Sequence, residues 1–384
     1  MSFVGLLLII SVYLGLKALP EESWSGWTTF TAQTMLSSKH WAEDGFIYSK
    51  FLFIPIGYSK AVRYLDAPEM RHHARGTVYG GLIGRRLYYT HYPSGYLVPY
   101  ALLMKAGAEE RHWFRLLSLS FSITALVFIY LFVNKISTPE IAFFSTLYYA
   151  GSTMFLDFAD SLANQPLDDL FRFAILFLSI ALLKNNNPSH IKRHCIVIWI
   201  LYLMYSLTSY DSTFFIFFYL AGISYLSKKG NGLKDLPFGR WLFFASAPVA
   251  GFSLQMLQNW WYLGTRDMLL DILGIFFARA NTSTDIGFFT GHLISMFLPL
   301  YYMTGINIPA ALIVFSLIAI FFTYAKKTLA YRGSDMAVIS ILFLGGLIYT
   351  SIFSYTGGYD YEGRQLAPAL GILVGSATVF VWRA

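Results

Sequence analysis

Apolar residues recur along this chain in runs close to 20 residues long, each bounded by charges or turn-forming residues. A helix rises about 1.5 Å per residue. A run of that length therefore covers the ~30 Å hydrocarbon core of a bilayer while satisfying its own backbone hydrogen bonds. Composition agrees: the 384 residues are 56% apolar, 18% aromatic and only 13% charged, where a soluble domain carries roughly a quarter of its residues as charges. These features predict an all-α polytopic membrane protein with 1–384 as a single integral membrane domain. They exclude a small cytosolic enzyme, a nucleic-acid-binding domain and a disulfide-stapled secreted domain. The lone cysteine, Cys195, permits neither an intrachain disulfide nor a thiolate metal cage; beside an apolar run it reads as a small buried hydrophobe.

About ten transmembrane helices are expected. The first, over 1–16, is read as retained rather than cleaved, because no basic region opens it and Ala18-Leu19-Pro20 is a poor cleavage site. The others fall near 113–133, 139–156, 170–184, 194–208, 211–227, 241–258, 308–325, 337–355 and 366–382. The loops after 133, 184, 227 and 325 hold eleven basic residues, among them Lys135, Lys192, Arg193, Arg240 and Arg332, against Glu140, Asp235 and Asp335. The opposite loops are acidic, with Asp157, Asp160, Asp168, Asp169, Asp211, Asp360 and Glu362. The positive-inside tendency then puts both termini in the cytoplasm and the acidic loops outside, in a plasma or inner membrane.

Two regions depart from simple spans. The stretch 19–111 is a long outer loop, expected to carry juxtamembrane helices in the headgroup layer at 24–35, 46–58 and 96–106, where Trp and Tyr are half solvated. The stretch 259–307 reads as an outer loop or as an extra helix pair, which would raise the total to twelve. Arg266, Asp267, Asp271, Arg279 and Asp285 break it into short pieces, which favours no crossing. No Walker or dinucleotide-binding glycine motif is present in the sequence.

Four polar, aromatic-rich stretches fall on the outer side. Glu43 and Asp44 are adjacent carboxylates at the bilayer edge, where ionised groups need an answering partner. One could accept a proton from a hydroxyl while the other orients a metal or sugar; a solvated acid pair closing a helix is the simpler reading. Around His91, Tyr92, Pro93, Ser94, Gly95 and Tyr96 the chain should turn, and its rings suit either sugar C–H faces or plain interfacial anchoring. Asp157 and Asp160 are three apart and share a face if helical; with Glu43 and Asp44 they could hold a divalent cation, Mg or Mn, through oxygen ligands. Asp168 and Asp169 read chiefly as acids favouring the start of the helix at 170. Last, Tyr361, Glu362 and Arg364 precede the final span. The Arg364 guanidinium suits a lipid-linked phosphate or a neighbouring carboxylate, and Arg85 and Arg86 are further phosphate candidates. All four stretches are expected to meet at one membrane face.

In this order and placement the chain resembles membrane glycosyltransferases of the C-type fold, nearest the branch of protein O-mannosyltransferases and lipid A aminoarabinose transferases. The resemblance rests on a first helix, the acid pair Glu43-Asp44, the loosely matching His91-Tyr92-Pro93-Ser94-Gly95, Gly107 followed by Arg111 or Arg115, the junction 161–169, and 361–368. It implies transfer of a sugar, with inversion, from a polyprenyl-phosphate donor to an envelope glycan, lipid or protein acceptor outside the cytoplasm. Membrane lipids are the expected surroundings and nucleic acid is not an expected partner. The resemblance makes Asp44 the base with Glu43 beside it, Asp157 or Asp160 part of the acid cluster, and Arg364 with Arg85 the holders of the donor phosphate. The sequence carries Ser94 where a second proline is common, and no large soluble domain follows its last span, which suggests a compact enzyme. The competing readings are a transporter or flippase of lipid-linked sugar, and an envelope polymerase or ligase using the same carrier. The near absence of mid-span charge disfavours the first, and a late outer loop with only Arg266, Arg279 and His292 disfavours the second.

Overall fold

The computed structural model of the protein describes residues 2–20, 28–56, 87–90, 92–184, 188–228, 237–280, 333–352 and 362–383. They are helical apart from one small hairpin, in keeping with a polytopic membrane protein. In chain order the helices are α1 (Phe3–Ala18), α2 (Thr28–Asp44), α3 (Val98–Lys105), α4 (Arg111–Ile136), α5 (Pro139–Ala150), α6 (Thr153–Phe158), α7 (Gln165–Leu183), α8 (Pro188–Ser206), α9 (Tyr210–Lys228), α10 (Phe238–Leu263), α11 (Thr265–Ala280), α12 (Gly333–Ile352) and α13 (Ala367–Arg383). Nine of the ten expected spans thus correspond to helices, while 308–325 lies outside the described residues. Helix α4 is long and apolar enough to cross a bilayer on length and composition alone, and Phe3–Ala18, Thr213–Lys228, Asp335–Tyr349 and Ala367–Trp382 are shorter apolar helices.

Local sequence chemistry sets the boundaries. Thr138 caps α5 by accepting from the Ile141 amide, and Pro139 takes the first-turn position that needs no N–H. The expected span 139–156 is not continuous: Gly151 closes α5, and Ser152 restarts the chain by accepting from the Phe155 amide. Two helices result because both caps satisfy backbone groups that an unbroken helix would pair internally.

Helix α4 packs along α7, α13 along α5, α8 along both α7 and α10, and α9 along α12. The α13–α5 pair approaches closely. A Cβ on Gly375 would come within 2.8 Å of the Ser145 amide nitrogen, so backbone lies against backbone as small residues allow between membrane helices.

Polar contacts fix two ends of the bundle. At one end the Lys184 ammonium, just past α7, donates to the Lys135 carbonyl at 2.6 Å and to Asp335 at 2.9 Å. At the other, Lys17 donates to the Leu156 carbonyl at 2.8 Å, and Arg115 to that of Pro20 at 3.2 Å. The second end carries the first connecting loop. There α2 packs on α3 and on a hairpin of β1 (Phe53–Ile56) and β2 (Leu87–Tyr89). The helix expected over 46–58 is therefore corrected: residues 46–51 form turns and 53–56 a strand, with 57–58 outside the described residues. The aromatic residues there pack across the hairpin and onto α2, with Phe53 near Tyr89 and Phe30. Cross-strand pairing of that kind selects extended backbone over helix.

Candidate functional site

The site is assembled by four distant segments at the end of the bundle that carries the first loop. The first is the 3₁₀ turn Gly95–Leu97. The Gly95 amide donates to the Leu207 carbonyl at 2.8 Å, and a Cβ at position 95 would sit 2.5 Å from that oxygen. Only glycine admits this approach. It seats Tyr96, 1% exposed, within electrostatic range of the Asp168 carboxylate. Burial holds the Tyr96 phenol well above the usual tyrosine range, the neighbouring Thr34 hydroxyl opposing that shift. Tyr96 is thus a neutral hydroxyl at any physiological pH.

The second and third segments meet at Asp168. In the first turn of α7 its carboxylate accepts from Asn164 Nδ2 at 2.7 Å and from Thr208 Oγ1 at 2.6 Å. Thr208 is the residue after Leu207, so one short junction holds both Gly95 and Asp168 in place.

The fourth segment supplies a cation. Asp169 is buried and accepts from the Tyr149 hydroxyl at 2.5 Å and from Arg172 Nη2 one turn along α7. Arg364 Nη1 lies 3.6 Å from the same carboxylate, and its guanidinium sits 5.5 Å from the centre of the Phe158 ring. Arg172 and Arg364 are 1% and 4% exposed. Asp168 and Asp169 face these two guanidiniums, so the cluster is matched in charge but not in hydrogen bonds. Among the described residues, Nε and Nη1 of Arg364 and Nε of Arg172 make no hydrogen bond. The arrangement is therefore a buried ion cluster with guanidinium N–H donors to spare.

Of the expected residues, Tyr96 follows the turn held by the Leu207–Thr208 junction that also binds Asp168, and Arg364 lies against Asp169, which Arg172 and Tyr149 also engage. Arg172 was the readable signal, since a guanidinium two residues into an apolar run demands a partner. Tyr149 gave none, because a tyrosine in an aromatic-rich helix looks like core.

Other expected residues lie elsewhere. Glu43 and Asp44 end α2, in contact with Lys39 and His40 of the same helix at 3.7 Å each. Asp44 is ten residues beyond Thr34, about 15 Å along the helix axis. Asp157 is exposed on α6. Asp160 is fully buried in a different ion cluster, bound by Arg115 Nε at 2.9 Å and by Lys17 Nζ at 3.3 Å. Among the described residues no group of three or more His, Cys, Asp or Glu gathers that could hold a metal ion. Asp160 is drawn onto two cations instead. Tyr92 is half-buried near the turn. His91, Arg85, Arg86 and Tyr361 lie outside the described residues, and Glu362 is placed only by its backbone in a 3₁₀ turn, Glu362–Gln365.

No family model and no curated protein sequence matches the chain. Solved structures do. The apo structure of ArnT from Cupriavidus metallidurans superposes with a TM-score of 0.54 at 12% identity, covering 98% of this chain and 59% of that one. The archaeal oligosaccharyltransferase AglB from Archaeoglobus fulgidus, in complex with an inhibitory peptide and a dolichol-phosphate, gives 0.53 at 11% identity, covering 98% and 50%. The chain has the C-type membrane glycosyltransferase fold. It spans between half and three-fifths of the length of these two proteins. Within this C-type fold, the end of the bundle holding Tyr96, Asp168 and Arg364 is formed by the first long loop and the junctions before α7, α9 and α13.

Proposed function

We propose that this protein transfers a glycosyl group from a polyprenyl-phosphate donor to an acceptor hydroxyl on the non-cytoplasmic face of the membrane. The observation that carries the reading is Arg364. It is a buried guanidinium with unspent N–H donors, against the start of α7, in a fold shared with an enzyme captured with dolichol-phosphate.

The chemistry is a single displacement. The acceptor oxygen attacks the anomeric carbon, the bond from that carbon to the phosphate oxygen breaks with inversion, and polyprenyl phosphate departs with the bonding electron pair. That leaving group is already a stable anion, so charge stabilisation by Arg364 and Arg172 matters more than protonation. Tyr96, held neutral, can donate to a sugar or phosphate oxygen. Asp44 is the proposed acceptor of the hydroxyl proton. Its distance along α2 from Thr34 favours a second candidate for that role, Asp168, which is joined to the Gly95 turn through Leu207 and Thr208 and lies within the field of Arg172 and Arg364. No step is assigned to a divalent cation, because the carboxylates expected to bind one are not gathered.

The basic end of the bundle marked by Lys135 and Lys184 would face the cytoplasm, placing both termini there and the site outside. The test is incubation of the reconstituted protein with labelled polyprenyl-phosphate sugars, native lipid and envelope extracts, with and without EDTA, read by mass spectrometry. Sugar appearing on an acceptor supports transfer. Movement of the labelled lipid between leaflets without product supports the flippase reading instead.

A further inference from the structure

The corner between α10 and α11 makes four contacts with the first long loop. The chain leaves α10 through three aromatic residues, Trp260, Trp261 and Tyr262, and turns at Gly264 into α11. Thr90 Oγ1 donates to Asp271 Oδ2 on α11 at 2.6 Å, and the Thr90 carbonyl accepts from Asn259 Nδ2 on α10 at 3.1 Å. Gln255 Nε2 in turn donates to Asn259 Oδ1 at 3.0 Å, which fixes the amide that reaches Thr90. Thr90, Gln255, Asn259 and Asp271 are each at most 1% exposed. One residue pair away, the Tyr88 amide donates to the Tyr262 hydroxyl at 3.3 Å. On the other arm of the loop the Lys50 ammonium sits 4.1 Å from the centre of the Trp261 ring.

Lys50 and Phe51 both have left-handed backbone, with φ of 52° and 55°. Such conformations cost non-glycine residues on the order of 1–2 kcal/mol each and persist only where surroundings hold them. Here the holders are visible: Ser94 Oγ donates to the Phe51 carbonyl, and Trp261 takes the Lys50 head. The loop therefore has two arms, one following Asp44 and one leading through Thr90 and Pro93 to Tyr96, and both are fastened to the same corner.

We infer that Asn259 and Asp271 are positioning residues, which hold the Thr90 strand so that the turn at Gly95 delivers Tyr96 to Asp168. This rests on the glycosyl-transfer reading. The hydrogen bonds are buried on both sides, so losing one removes a contact that water does not readily replace and loosens the strand. Asp271 lies in the region read from sequence as an outer loop or helix pair; its role emerges only once α11 is seen to pack on the first loop.

The experiment compares Thr90→Val, Asp271→Leu and Thr90→Ser in the full-length reconstituted protein, by hydrogen–deuterium exchange and by steady-state transfer kinetics. We expect Thr90→Val and Asp271→Leu to speed exchange in 87–90 at least tenfold and to lower transfer at least tenfold. Thr90→Ser, which keeps the donor, should restore both. Thr90→Val removes only one hydroxyl donor and keeps the side-chain shape, so it remains informative where Asp271→Leu fails to fold. Unchanged exchange in Thr90→Val overturns the clamp. Faster exchange with unchanged kcat and KM overturns the positioning role. If the wild-type protein transfers no sugar while exchange still responds, the clamp stands and the transfer reading fails, taking the positioning role with it.

Discussion

Arg364 Nη1 lies 3.6 Å from Asp169 Oδ2, so the last described helix is tied to α7 through a carboxylate already engaged by Arg172 and Tyr149. Because Asp169 keeps two partners when Arg364 is removed, Arg364→Ala should cost less than the ~3–5 kcal/mol expected for breaking an isolated buried pair. Donor binding should suffer more. A charge-assisted hydrogen bond contributes about 1.5–3 kcal/mol, so the Kd for polyprenyl phosphate should rise roughly tenfold to a hundredfold. Arg364→Lys keeps the charge but not the fork, and should recover stability more than affinity. Thermal unfolding in detergent and calorimetric lipid binding measure the two separately. Equal lipid affinity in wild type and Arg364→Ala would remove Arg364 from the donor site.

The base assignment is decided by two substitutions. Asp44 is partly exposed beside His40, so Asp44→Asn should fold normally. If Asp44 takes the proton, transfer should drop about a hundredfold or more with the KM for lipid donor little changed. Asp168→Asn keeps a side-chain oxygen for Thr208 or Asn164 but loses the charge. Near-normal turnover in Asp44→Asn together with collapse in Asp168→Asn would move the base to Asp168.

Much of this fold was readable because a bilayer imposes one length scale. Runs such as 113–133 and 194–208 have few alternatives to a helix, and the basic loops around Lys135 and Lys184 fall together at one end as expected. The hairpin was not readable. Residues 53–56 and 87–89 are about thirty positions apart, and only their pairing makes either a strand. The candidate site was half readable for a related reason. Tyr96 and Arg364 stand out as polar residues beside turns, whereas Asp168 and Asp169 looked like helix-opening acids until Thr208, Tyr149 and Arg364 were seen to converge on them. Local spacing cannot report a partner forty or two hundred residues away.

Asp160 illustrates the opposite outcome. Its carboxylate is fully buried between Arg115 and Lys17, with Arg115 also holding the Pro20 carbonyl at the start of the loop. These contacts argue for a tie between α1, α4 and the end of α6 rather than for contact with substrate. Asp160→Ala should take the shared carboxylate from two cations and destabilise the protein by about 3–5 kcal/mol, seen as a lower unfolding temperature. Asp160→Asn should destabilise less, and whatever Asp160→Asn remains folded should turn over with near wild-type KM. A folded Asp160→Asn protein with abolished kcat would return Asp160 to the reacting centre.

Gly95 offers the sharpest geometric test of the assembled site. A methyl group there meets the Leu207 carbonyl oxygen at 2.5 Å, a backbone atom that cannot rotate away. Either the 3₁₀ turn or the Leu207–Thr208 junction must shift, and the second also carries the hydrogen bond to Asp168. Gly95→Ala should therefore cost about 1–3 kcal/mol, as overpacking does. It should also lower transfer by a larger factor than that stability loss explains, because Tyr96 and Asp168 are displaced together. Gly107→Ala is the matched control: Gly107 also sits in the same loop, at φ 96°, but an added Cβ meets nothing within 4 Å, so only backbone strain is introduced. If the two substitutions reduce transfer equally at equal stability, the contact between positions 95 and 207 has no special part in shaping the site.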